Sequence, residues 1–421
     1  MKRVLLVATT TGYQIRAFGE AAASLGIRLV FASDRCDQLD DPWWDQAIPV
    51  RFHDEARSVE AVRAACAGTP LDGVIAVGDR PAVLAARIAF AFGLPGHPPG
   101  GAVVSRNKLA TRTALRSAGL PTPAFLAAPL DGNPIALARR LRYPVVVKPL
   151  ALSGSRGVVR ADTEAELLVA FERLRRVLAA PDVRFERDEV HRQVLIESFI
   201  PGVEYAVEAL LTHGSLQTLA IIDKPDPLDG PLFEETIYRM PSAAPPSTQA
   251  GIAAAVSRAC AAIGLRHGPV HAECRVQTDD EGSVCVYILE VAARPIGGLC
   301  SRALRFATDV PLEAVLLRHA IGEDVSCYTR EATASGVMMI PIPRRGIYRG
   351  VKGIDAAKAV SGVADVRITA KPDTVLVPLP DARSYLGFIF ARGTEPADVD
   401  RALREAHARL EFQVERELAV L

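Results

Sequence analysis

Short apolar runs alternate with helical stretches over the first hundred residues, and this alternation restricts the fold more than any other feature. Residues 4–8, 27–32 and 74–77 are the apolar runs, and each has the length of a parallel strand buried on both faces. A helical stretch that stops at Gly26 follows the first run, and another helix follows the third. Strands that alternate with helices predict an α/β fold, with a doubly wound unit over about residues 1–100.

The rest of the sequence divides where its composition changes. A chain of 421 residues, 49% of them hydrophobic, is long enough to bury several cores. The segment GLPGHPPGG, residues 93–101, forms a hinge-like break, and motifs become sparse beyond about residue 325. We therefore predict four units, over residues 1–100, 101–202, 203–325 and 326–421.

Three segments carry a specific structural prediction. Residues 104–118 are expected to form one helix, and residues 398–418 are expected to form a helix that closes the chain. Residues 223–250 contain many prolines and are predicted to form a long surface loop, a kind of segment that is often functional.

Charge, cysteine spacing and hydropathy exclude several classes of protein. Lys plus Arg and Asp plus Glu both number 49, which argues against a nucleic-acid partner, because such a partner needs a basic face. The seven cysteines form no CxxC pair, as expected for reduced thiols in the cytosol. No apolar stretch approaches the ~18 residues of a membrane span, and the first apolar run ends at Ala8, too early for a signal peptide. We therefore expect a cytoplasmic protein with no membrane partner.

In VVVKPLALSGSRGV, a strand that ends in a lysine precedes a loop of small residues. Gly154 and Gly157 allow backbone conformations that turn N–H groups into a concavity, while Ser153 and Ser155 add hydroxyl donors. Lys148 beside the loop supplies a positive charge. This arrangement predicts a phosphate-binding loop, although not a Walker loop, because GxxxxGK[ST] is absent. A flexible glycine turn beside a surface lysine is the alternative.

A second strand, in VLIESFIPGVEYAVEAL, ends at Glu197, and a Pro-Gly turn precedes the next strand. The crossover would leave backbone groups of Ser198, Phe199 and Ile200 unpaired and free to bind an adenine edge. Glu204, at the start of the next strand, could accept hydrogen bonds from two ribose hydroxyls. A plain hairpin whose carboxylates face solvent is the alternative.

The strands GPVHAECRV and VCVYILEVA carry the most specific pattern. If Glu281-Gly282 is a two-residue hairpin turn, Glu273 lies directly opposite Glu290, with their Cβ atoms about 5 Å apart. Two carboxylates so placed repel each other unless a hard cation lies between them, and Mg²⁺ that also binds nucleotide phosphates fits this position. A carboxyl pair with one raised pKa, as in a glycosidase, is the alternative, although such an enzyme needs no phosphate loop.

Residues close to these strands add candidate substrate contacts. Arg294 is placed to clamp a transferred phosphoryl group or its acyl acceptor, and Gly297 and Gly298 let the backbone approach a ligand. His271 shares the face of the paired carboxylates and could touch the substrate. A structural ion pair and a structural histidine are the alternatives. Two residues of the proline-rich segment are also expected to reach the phosphates or the acceptor: Lys224 and Glu235.

Taken together, these motifs resemble the ATP-grasp superfamily over about residues 1–320. The segments that carry the resemblance are Lys108 with LATRTALRSAGLPTP, Lys148 with SGSRGV, Glu197 with PGVEY, and Glu273 with EVAARPIGG. The resemblance implies an ATP-grasp fold, which has an N-terminal Rossmann-like domain, a small lid domain and a larger ATP-binding domain. Here an additional C-terminal α+β segment would follow.

The resemblance also implies roles for the nucleotide-binding residues. Lys108 and Lys148 would bind the phosphates, and residues 153–157 would form a mobile lid loop. The backbone of residues 198–200 would contact adenine, and Glu204 would hold the ribose.

The string EVAAR and the glycines after it are similar to the L-amino-acid ligase branch of this superfamily, as is the tail over residues 335–343 and 390–410. In that branch a carboxylate attacks the γ-phosphate of ATP, and an amine then displaces phosphate from the acyl phosphate. The resemblance implies small-molecule carboxylate and amine substrates and a homodimer. It also implies two Mg²⁺ ions, with Mn²⁺ as a substitute, on Glu273 and Glu290.

Other functions stay open at this point. The same chemistry could act on a natural-product acid or amine, or the chain could belong to biotin-dependent carboxylation within the superfamily. A nucleotide-binding regulatory or scaffold protein is also open, because Ala292 replaces the Asn of the usual Glu-x-Asn metal motif.

Overall fold

The computed structural model describes residues 1–9, 14–34, 47–278, 283–307, 309–382 and 384–417. Within these ranges the chain forms twelve α-helices and twenty-one strands, arranged in five sheets. The α/β prediction is confirmed. The four-unit division stays a prediction, and it serves below to group the secondary-structure elements.

A parallel four-stranded sheet forms the N-terminal unit, with strand order β3-β2-β1-β4. The predicted apolar runs are strands of this sheet, and helix α1 ends before Gly26, which takes a left-handed conformation with φ of 64°. The elements are β1 (Arg3–Ala8), α1 (Ile15–Leu25), β2 (Arg28–Ser33), β3 (Ile48–Pro49), α2 (Glu55–Ala65), β4 (Gly73–Val77) and α3 (Asp79–Ala91).

Two helices, α4 (Pro99–Arg106) and α5 (Lys108–Ser117), occupy the segment that was predicted to be one helix. That prediction is wrong because Asn107 is extended and its side chain accepts hydrogen bonds from the first N–H groups of α5. Such a cap begins a new helix. As a result Lys108 and Arg112 lie one turn apart on the same buried face of α5.

An antiparallel sheet with order β5-β8-β6-β7 forms the lid unit. Helix α7 covers one face of this sheet with Leu167, Phe171 and Leu174, which are all buried, and the Thr163 side chain caps its first turn. The elements are β5 (Phe125–Pro129), α6 (Pro134–Ala138), β6 (Val145–Pro149), β7 (Val159–Ala161), α7 (Glu164–Leu178), α8 (Pro181–Arg184), a 3₁₀ turn (Glu189–Arg192) and β8 (Gln193–Ser198).

An eight-stranded sheet, with order β13-β12-β9-β10-β11-β16-β20-β18, joins the central and C-terminal parts of the chain. It therefore runs across the predicted boundary at residue 325. Its first elements are β9 (Val203–Thr212), β10 (Ser215–Asp223), β11 (Ile237–Met240), α9 (Pro246–Ile263), β12 (Gly268–Thr278) and β13 (Val284–Ala292).

The remaining elements complete this sheet and add two small ones. They are a 3₁₀ turn (Cys300–Ala303), β14 (Arg305–Phe306), β15 (Val310–Pro311), α10 (Leu312–Ala320), β16 (Ala334–Ile340), β17 (Gly346–Lys352), α11 (Ile354–Lys358), β18 (Val363–Ile368), β19 (Val375–Leu376), β20 (Gly387–Gly393), α12 (Pro396–Ala408) and β21 (Glu411–Glu415).

Two further sequence predictions are wrong. The segment 223–250 is not a single surface loop, because β11 lies within it and pairs with both β10 and β16. Its apolar residues Ile237 and Met240 are buried in that sheet. Sequence analysis missed the strand because many prolines lie near it. The closing helix ends at Ala408, and the next residues form β21, which pairs with β17.

The buried core continues from the N-terminal unit into the eight-stranded sheet. Leu5 and Val7 of β1 belong to the same apolar cluster as Val270 of β12 and Ile288 of β13. Among the described residues, no helix combines the length and the apolar character that crossing a membrane requires. The six cysteines in this part of the chain are free thiols.

Four histidines from distant parts of the chain meet at one end of this core. The rings of His267 and His319 stack with centroids 4.4 Å apart, and His213 lies 4.9 Å from His267. His97 contacts the carbonyl oxygen of Pro269 through Nε2 at 3.0 Å. Burial lowers the pKa of His97 and His319 to about 4, and the neighbouring imidazoles add to the effect at His319.

The substitution His319→Gln is expected to reduce the loss of stability between pH 7 and pH 5 by about 1 kcal/mol. A histidine in the unfolded chain is protonated below about pH 6.5, whereas folded His319 stays neutral down to a pKa of about 4. Its contribution is therefore complete above pH 6.5 and declines as the pH falls towards 4. Denaturant unfolding of the wild type and the variant at both pH values measures the difference.

The comparison with the variant is needed because other groups titrate in the opposite direction. Hydrogen bonds to acidic partners raise the pKa of His271 to about 9, against the effect of burial, and its contribution declines as the pH rises instead. Parallel stability profiles for the wild type and His319→Gln would show that His319 is not held neutral.

Candidate active site

One cavity of about 450 Å³ lies where the N-terminal unit, the lid sheet and the eight-stranded sheet meet. All the predicted site residues except Gly157 and Lys224 line it. They are Lys108, Lys148, Ser153, Gly154, Ser155, Glu197, Ser198, Phe199, Ile200, Glu204, Glu235, His271, Glu273, Glu290, Arg294, Gly297 and Gly298. The structure thus brings the predicted residues together, and their individual roles stay predictions.

The predicted phosphate loop follows strand β6 on the lid side of the cavity. Gly154, Ser155 and Gly157 all have left-handed backbones, with φ of 64°, 53° and 75°, as expected for a loop that curves around a ligand. Gly157 points its N–H away from the cavity and donates it to the Pro380 carbonyl oxygen at 2.9 Å. The loop is therefore joined to the C-terminal segment, which the sequence did not indicate.

A fully buried ion cluster lies beneath this loop. Glu197 on β8 accepts hydrogen bonds from Arg112 Nε at 2.8 Å and from Arg112 Nη2 at 3.3 Å, and it also pairs with Lys148. Burial alone would raise the pKa of Glu197, but the charges of Arg112 and Lys148 hold it at about 2. Burial lowers the pKa of Lys148, and Glu197 partly offsets this effect. Sequence analysis did not identify Arg112.

The crossover after β8 differs from the sequence prediction in its hydrogen bonding. The N–H groups of Ser198 and Phe199 donate to the carbonyl oxygens of Ala124 and Pro144 at 2.9 and 3.0 Å. Arg275 donates to the Ile200 carbonyl oxygen at 2.7 Å. The expectation is therefore wrong for these three groups, because long-range partners that no local pattern reveals bind them. For the other backbone groups of residues 198–200 it stays a prediction.

Glu273 and Glu290 are directly opposite each other on β12 and β13, as predicted. The reason differs in part, because Thr278 pairs with Val284 rather than with Cys285, which the predicted turn would require. An irregularity between Glu273 and Cys274 restores the predicted pairing. The proposed turn residues, Glu281 and Gly282, lie outside the described part of the chain.

Lys224 and Glu235, which the sequence placed near the reacting groups, belong to an acidic cluster in the cavity. Lys224 Nζ lies 2.8 Å from Glu204 Oε1 and 3.2 Å from Glu273 Oε1, and it also pairs with Glu235. Burial would lower the pKa of Lys224, but these carboxylates raise it well above its ordinary value. Burial and the charge of Glu273 raise the pKa of Glu235 to about 7. Glu204, the predicted ribose ligand, is thus engaged with a buried lysine.

Arg294 binds Asp79, a residue that sequence analysis left without a function. Arg294 Nε donates to Asp79 Oδ1 at 2.8 Å and Nη2 donates to Oδ2 at 3.3 Å. Burial would raise the pKa of Asp79, but Arg294 holds it at about 2. This contact is the structural ion pair that sequence analysis gave as the alternative role of Arg294. The Arg294 side chain also lines the cavity. Asp79 is the first residue of α3, and only Gly78 separates it from the end of β4. Ligands bind at the carboxyl ends of the strands in open α/β sheets, so the position of Asp79 could have indicated a functional residue.

Buried hydrogen bonds fix the loop that follows β13. Glu208 is fully buried and accepts hydrogen bonds from the Ile296 N–H and from His271 Nδ1, both at 3.1 Å. His271 Nε2 lies 3.8 Å from Glu273 Oε1. His271 therefore has a structural partner as well as a place in the cavity wall.

The C-terminal segment supplies one wall of the cavity through Met339, Tyr385 and Phe388. Gly298 has φ of 62°, and a Cβ atom on it would lie 3.3 Å from the Phe388 ring. Only glycine fits there without strain, so the predicted close approach at Gly298 is an approach to Phe388. Sequence analysis did not predict this wall, because it forms only when β20 joins the central sheet.

The donor groups suit a hard divalent cation. Glu273 and Glu290 offer carboxylate oxygens on adjacent strands, and oxygen donors are those that Mg²⁺ prefers. Glu290 Oε2 lies 3.2 Å from Lys108 Nζ, so the predicted phosphate-binding lysine and the predicted metal-binding carboxylate are neighbours. Ala292 is buried and has no donor, and His271 lies opposite it. The residues present therefore fit Mg²⁺ with one protein ligand fewer than the usual motif.

Three family models match separate parts of the chain. A model described as an ATP-grasp N-terminal domain matches residues 19–96, and an ATP-grasp domain matches residues 141–303. An L-amino acid ligase C-terminal domain matches residues 338–415. Together they include the phosphate loop, both paired carboxylates and the C-terminal wall of the cavity.

Two curated relatives are similar over part of their length. An uncharacterised protein of Sinorhizobium fredii is 28% identical over 331 residues, which make up 78% of this chain and 65% of the relative. A D-alanine–D-alanine ligase of Stutzerimonas stutzeri is 31% identical over 198 residues, or 46% of this chain and 56% of the relative. The chain thus spans less than two thirds of either relative.

A solved structure matches the whole chain. The L-amino acid ligase from Bacillus licheniformis superposes with a TM-score of 0.79 and 26% sequence identity, covering 99% of both chains. This match, the three family models and the geometry of the cavity agree with the resemblance seen in the sequence. The chain belongs to the ATP-grasp superfamily and has a C-terminal domain of the L-amino acid ligase type.

Proposed function

We propose that this protein is an ATP-dependent carboxylate–amine ligase that activates an amino acid as an acyl phosphate and couples it to an amine, releasing ADP and phosphate. One observation carries the proposal. Lys108 and Lys148 meet the paired carboxylates Glu273 and Glu290, with Arg294 beside them, in a single cavity. The names of the relatives, an L-amino acid ligase and a D-alanine–D-alanine ligase, support the same reaction class.

Lys108 and Lys148 would bind the phosphates of the nucleotide. A carboxylate that attacks a triphosphate brings like charges together, so the transition state needs cations fixed around it. Lys108 and Lys148 are buried and held by Leu152 and Glu197, which keeps their ammonium groups in place before ATP binds. Ser153, Gly154 and Ser155 would add loop donors to the phosphates.

Glu273 and Glu290 are the residues that would hold Mg²⁺, which neutralises charge between the nucleotide phosphates when bound. Two ions, with Mn²⁺ as a substitute, are part of this proposal. Arg294 stays charged because its pKa is raised by Asp79, against the effect of burial. It can therefore bind the transferred phosphoryl group while Asp79 fixes its direction.

The opposite wall of the cavity would bind the acid and the amine. An acyl phosphate hydrolyses readily, so water must be excluded, and the phosphate loop together with the C-terminal wall would cover it. Glu235, with a pKa of about 7, and the Tyr238 hydroxyl that donates to it at 2.7 Å lie in the same wall. They form a polar position for an ammonium group beside the apolar side chains.

Wider properties of the protein belong to the proposal as well. The substrates are small molecules, and a natural-product acid or amine in place of an amino acid fits the same cavity. We further propose a cytoplasmic homodimer. One observation favours a different class, since Ala292 removes a metal ligand and would suit a nucleotide-binding regulatory protein without turnover.

Incubation with Mg-ATP and pairs of amino acids tests the proposal, with ADP measured and products identified by mass spectrometry. ADP release that requires both an acid and an amine supports the ligase. Tight binding of an ATP analogue with no turnover on the whole panel supports the regulatory protein instead. Release that depends on bicarbonate and needs no amine would indicate carboxylation.

The substitution Glu290→Gln is expected to lower turnover about 100-fold, because an amide offers Mg²⁺ a weaker ligand than a carboxylate. Thermal unfolding should change little, since Glu290 is partly exposed to the cavity. Steady-state ADP release measures the effect. Glu411→Gln, which changes an exposed glutamate on β21, is the matched control and should keep the wild-type rate. A wild-type rate for Glu290→Gln would remove this residue from the site.

The substitution Lys148→Met is expected to weaken the binding of a non-hydrolysable ATP analogue about 10- to 100-fold, the range for losing one charged hydrogen bond. Glu197 keeps Arg112 as its partner in this variant, so the fold should persist. Isothermal titration calorimetry measures the affinity. Lys371→Met, at an exposed lysine, is the control, and equal affinities for the two variants would place Lys148 outside the nucleotide site.

A further inference from the structure

Strand β13 contains one extra residue at the point where it supplies Glu290. Glu273 pairs with Glu290, but the adjacent Cys274 pairs with Ile288, so Leu289 has no partner on β12. This is a β-bulge. Leu289 and Glu290 both line the cavity, whereas Ile288 and Val291 on either side belong to the buried core.

The bulge is required for the paired carboxylates to face the same cavity. In a regular ladder continuing from the Cys274–Ile288 pair, Leu289 would lie opposite Glu273. Glu290 would then lie opposite Ala272 and point into the core, because successive side chains of a strand face opposite sides. The position of Glu290 therefore depends on whatever holds the bulge.

Arg112 of α5 holds it. Its Nη1 donates to the Ile288 carbonyl oxygen and its Nη2 to the Leu289 carbonyl oxygen, both at 3.0 Å. Consecutive carbonyls of a regular strand point in opposite directions, and here one guanidinium binds two of them. β13 is the edge strand of its sheet, so these carbonyls face α5 rather than another strand.

Each side-chain nitrogen of Arg112 donates at least one hydrogen bond. Its side chain is 1% exposed, and its Nε and Nη2 also donate to Glu197, which pairs with Lys148. Lys108, one turn earlier on α5, reaches the Glu290 carboxylate itself. One helix face therefore contacts both the backbone and the side chain of the metal-binding position.

We infer that Arg112 is a positioning residue, which holds the β13 bulge and so aims Glu290 at the metal that the proposed function requires. The inference rests on that function for its catalytic consequence, but its structural part stands on the protein without ligands. A lysine at this position keeps the charge next to Glu197, yet a single ammonium lacks the planar fork that spans two carbonyls.

The test compares Arg112→Lys with Leu115→Ala, which changes a buried residue of the same helix whose apolar side chain can donate no hydrogen bond to the bulge carbonyls. Amide hydrogen exchange is measured on the ligand-free proteins. Arg112→Lys should speed exchange about tenfold or more in peptides that cover 284–292, relative to the rest of the sheet. Leu115→Ala should show no such local change.

ADP release then tests the catalytic consequence. The Mg²⁺ concentration for half-maximal rate should rise about 10- to 100-fold in Arg112→Lys, the range for losing a group that orients a metal ligand. The KM for ATP at saturating Mg²⁺ should change less than about threefold. Leu115→Ala should keep the wild-type Mg²⁺ requirement.

The outcomes separate this inference from the proposed function. If Arg112→Lys shows wild-type exchange in the peptides that cover 284–292, or an unchanged Mg²⁺ requirement, the positioning role is wrong while the proposed ligase activity is unaffected. A wild-type protein without substrate-dependent ADP release would overturn the proposed function. In that case the exchange measurement would still decide whether Arg112 holds the bulge.

Discussion

A single buried carboxylate, Glu197, connects the parts of the molecule that approach the cavity. It lies between Lys148 of the lid sheet and Arg112 of helix α5, which also binds the edge of the eight-stranded sheet. Buried charges persist only when each has a partner, and removing one partner costs about 3–5 kcal/mol. The network therefore sets the positions of the lid sheet, the helix and the edge strand together.

Other cations in the cavity are paired with carboxylates in the same way. Each cation that the proposed reaction uses is already paired with a carboxylate, as in Lys108–Glu290, Lys148–Glu197 and Arg294–Asp79. The side chains are thus oriented without a nucleotide, and little reorganisation is needed when one binds.

Local patterns predicted much of the fold and the site, and long-range contacts limited the rest. The buried strands β1 and β4 follow from short apolar runs, which are a property of a few neighbouring residues. The pairing of Glu273 with Glu290 was predicted from an assumed two-residue turn, and in the structure it depends on the extra residue in β13. The Asp79–Arg294 pair joins residues 215 positions apart, and no repeating pattern announces it. The extra residue in β13 was not predicted for the same reason, because Arg112, which binds the carbonyl oxygens at the bulge, is distant in sequence. Proline content misled the prediction over β11, where burial in a sheet outweighed local propensity.

The hydrogen bond from Gly157 to Pro380 has a consequence for how the two ends of the cavity communicate. Residue 157 ends the predicted phosphate loop, and residue 380 precedes Tyr385 and Phe388 in the opposite wall. A substrate that shifts this wall must alter the free energy of the loop. By thermodynamic reciprocity, the affinities for the nucleotide and for the second ligand then change by the same factor. This coupling has the same size whichever ligand binds first, because it is an equilibrium free energy.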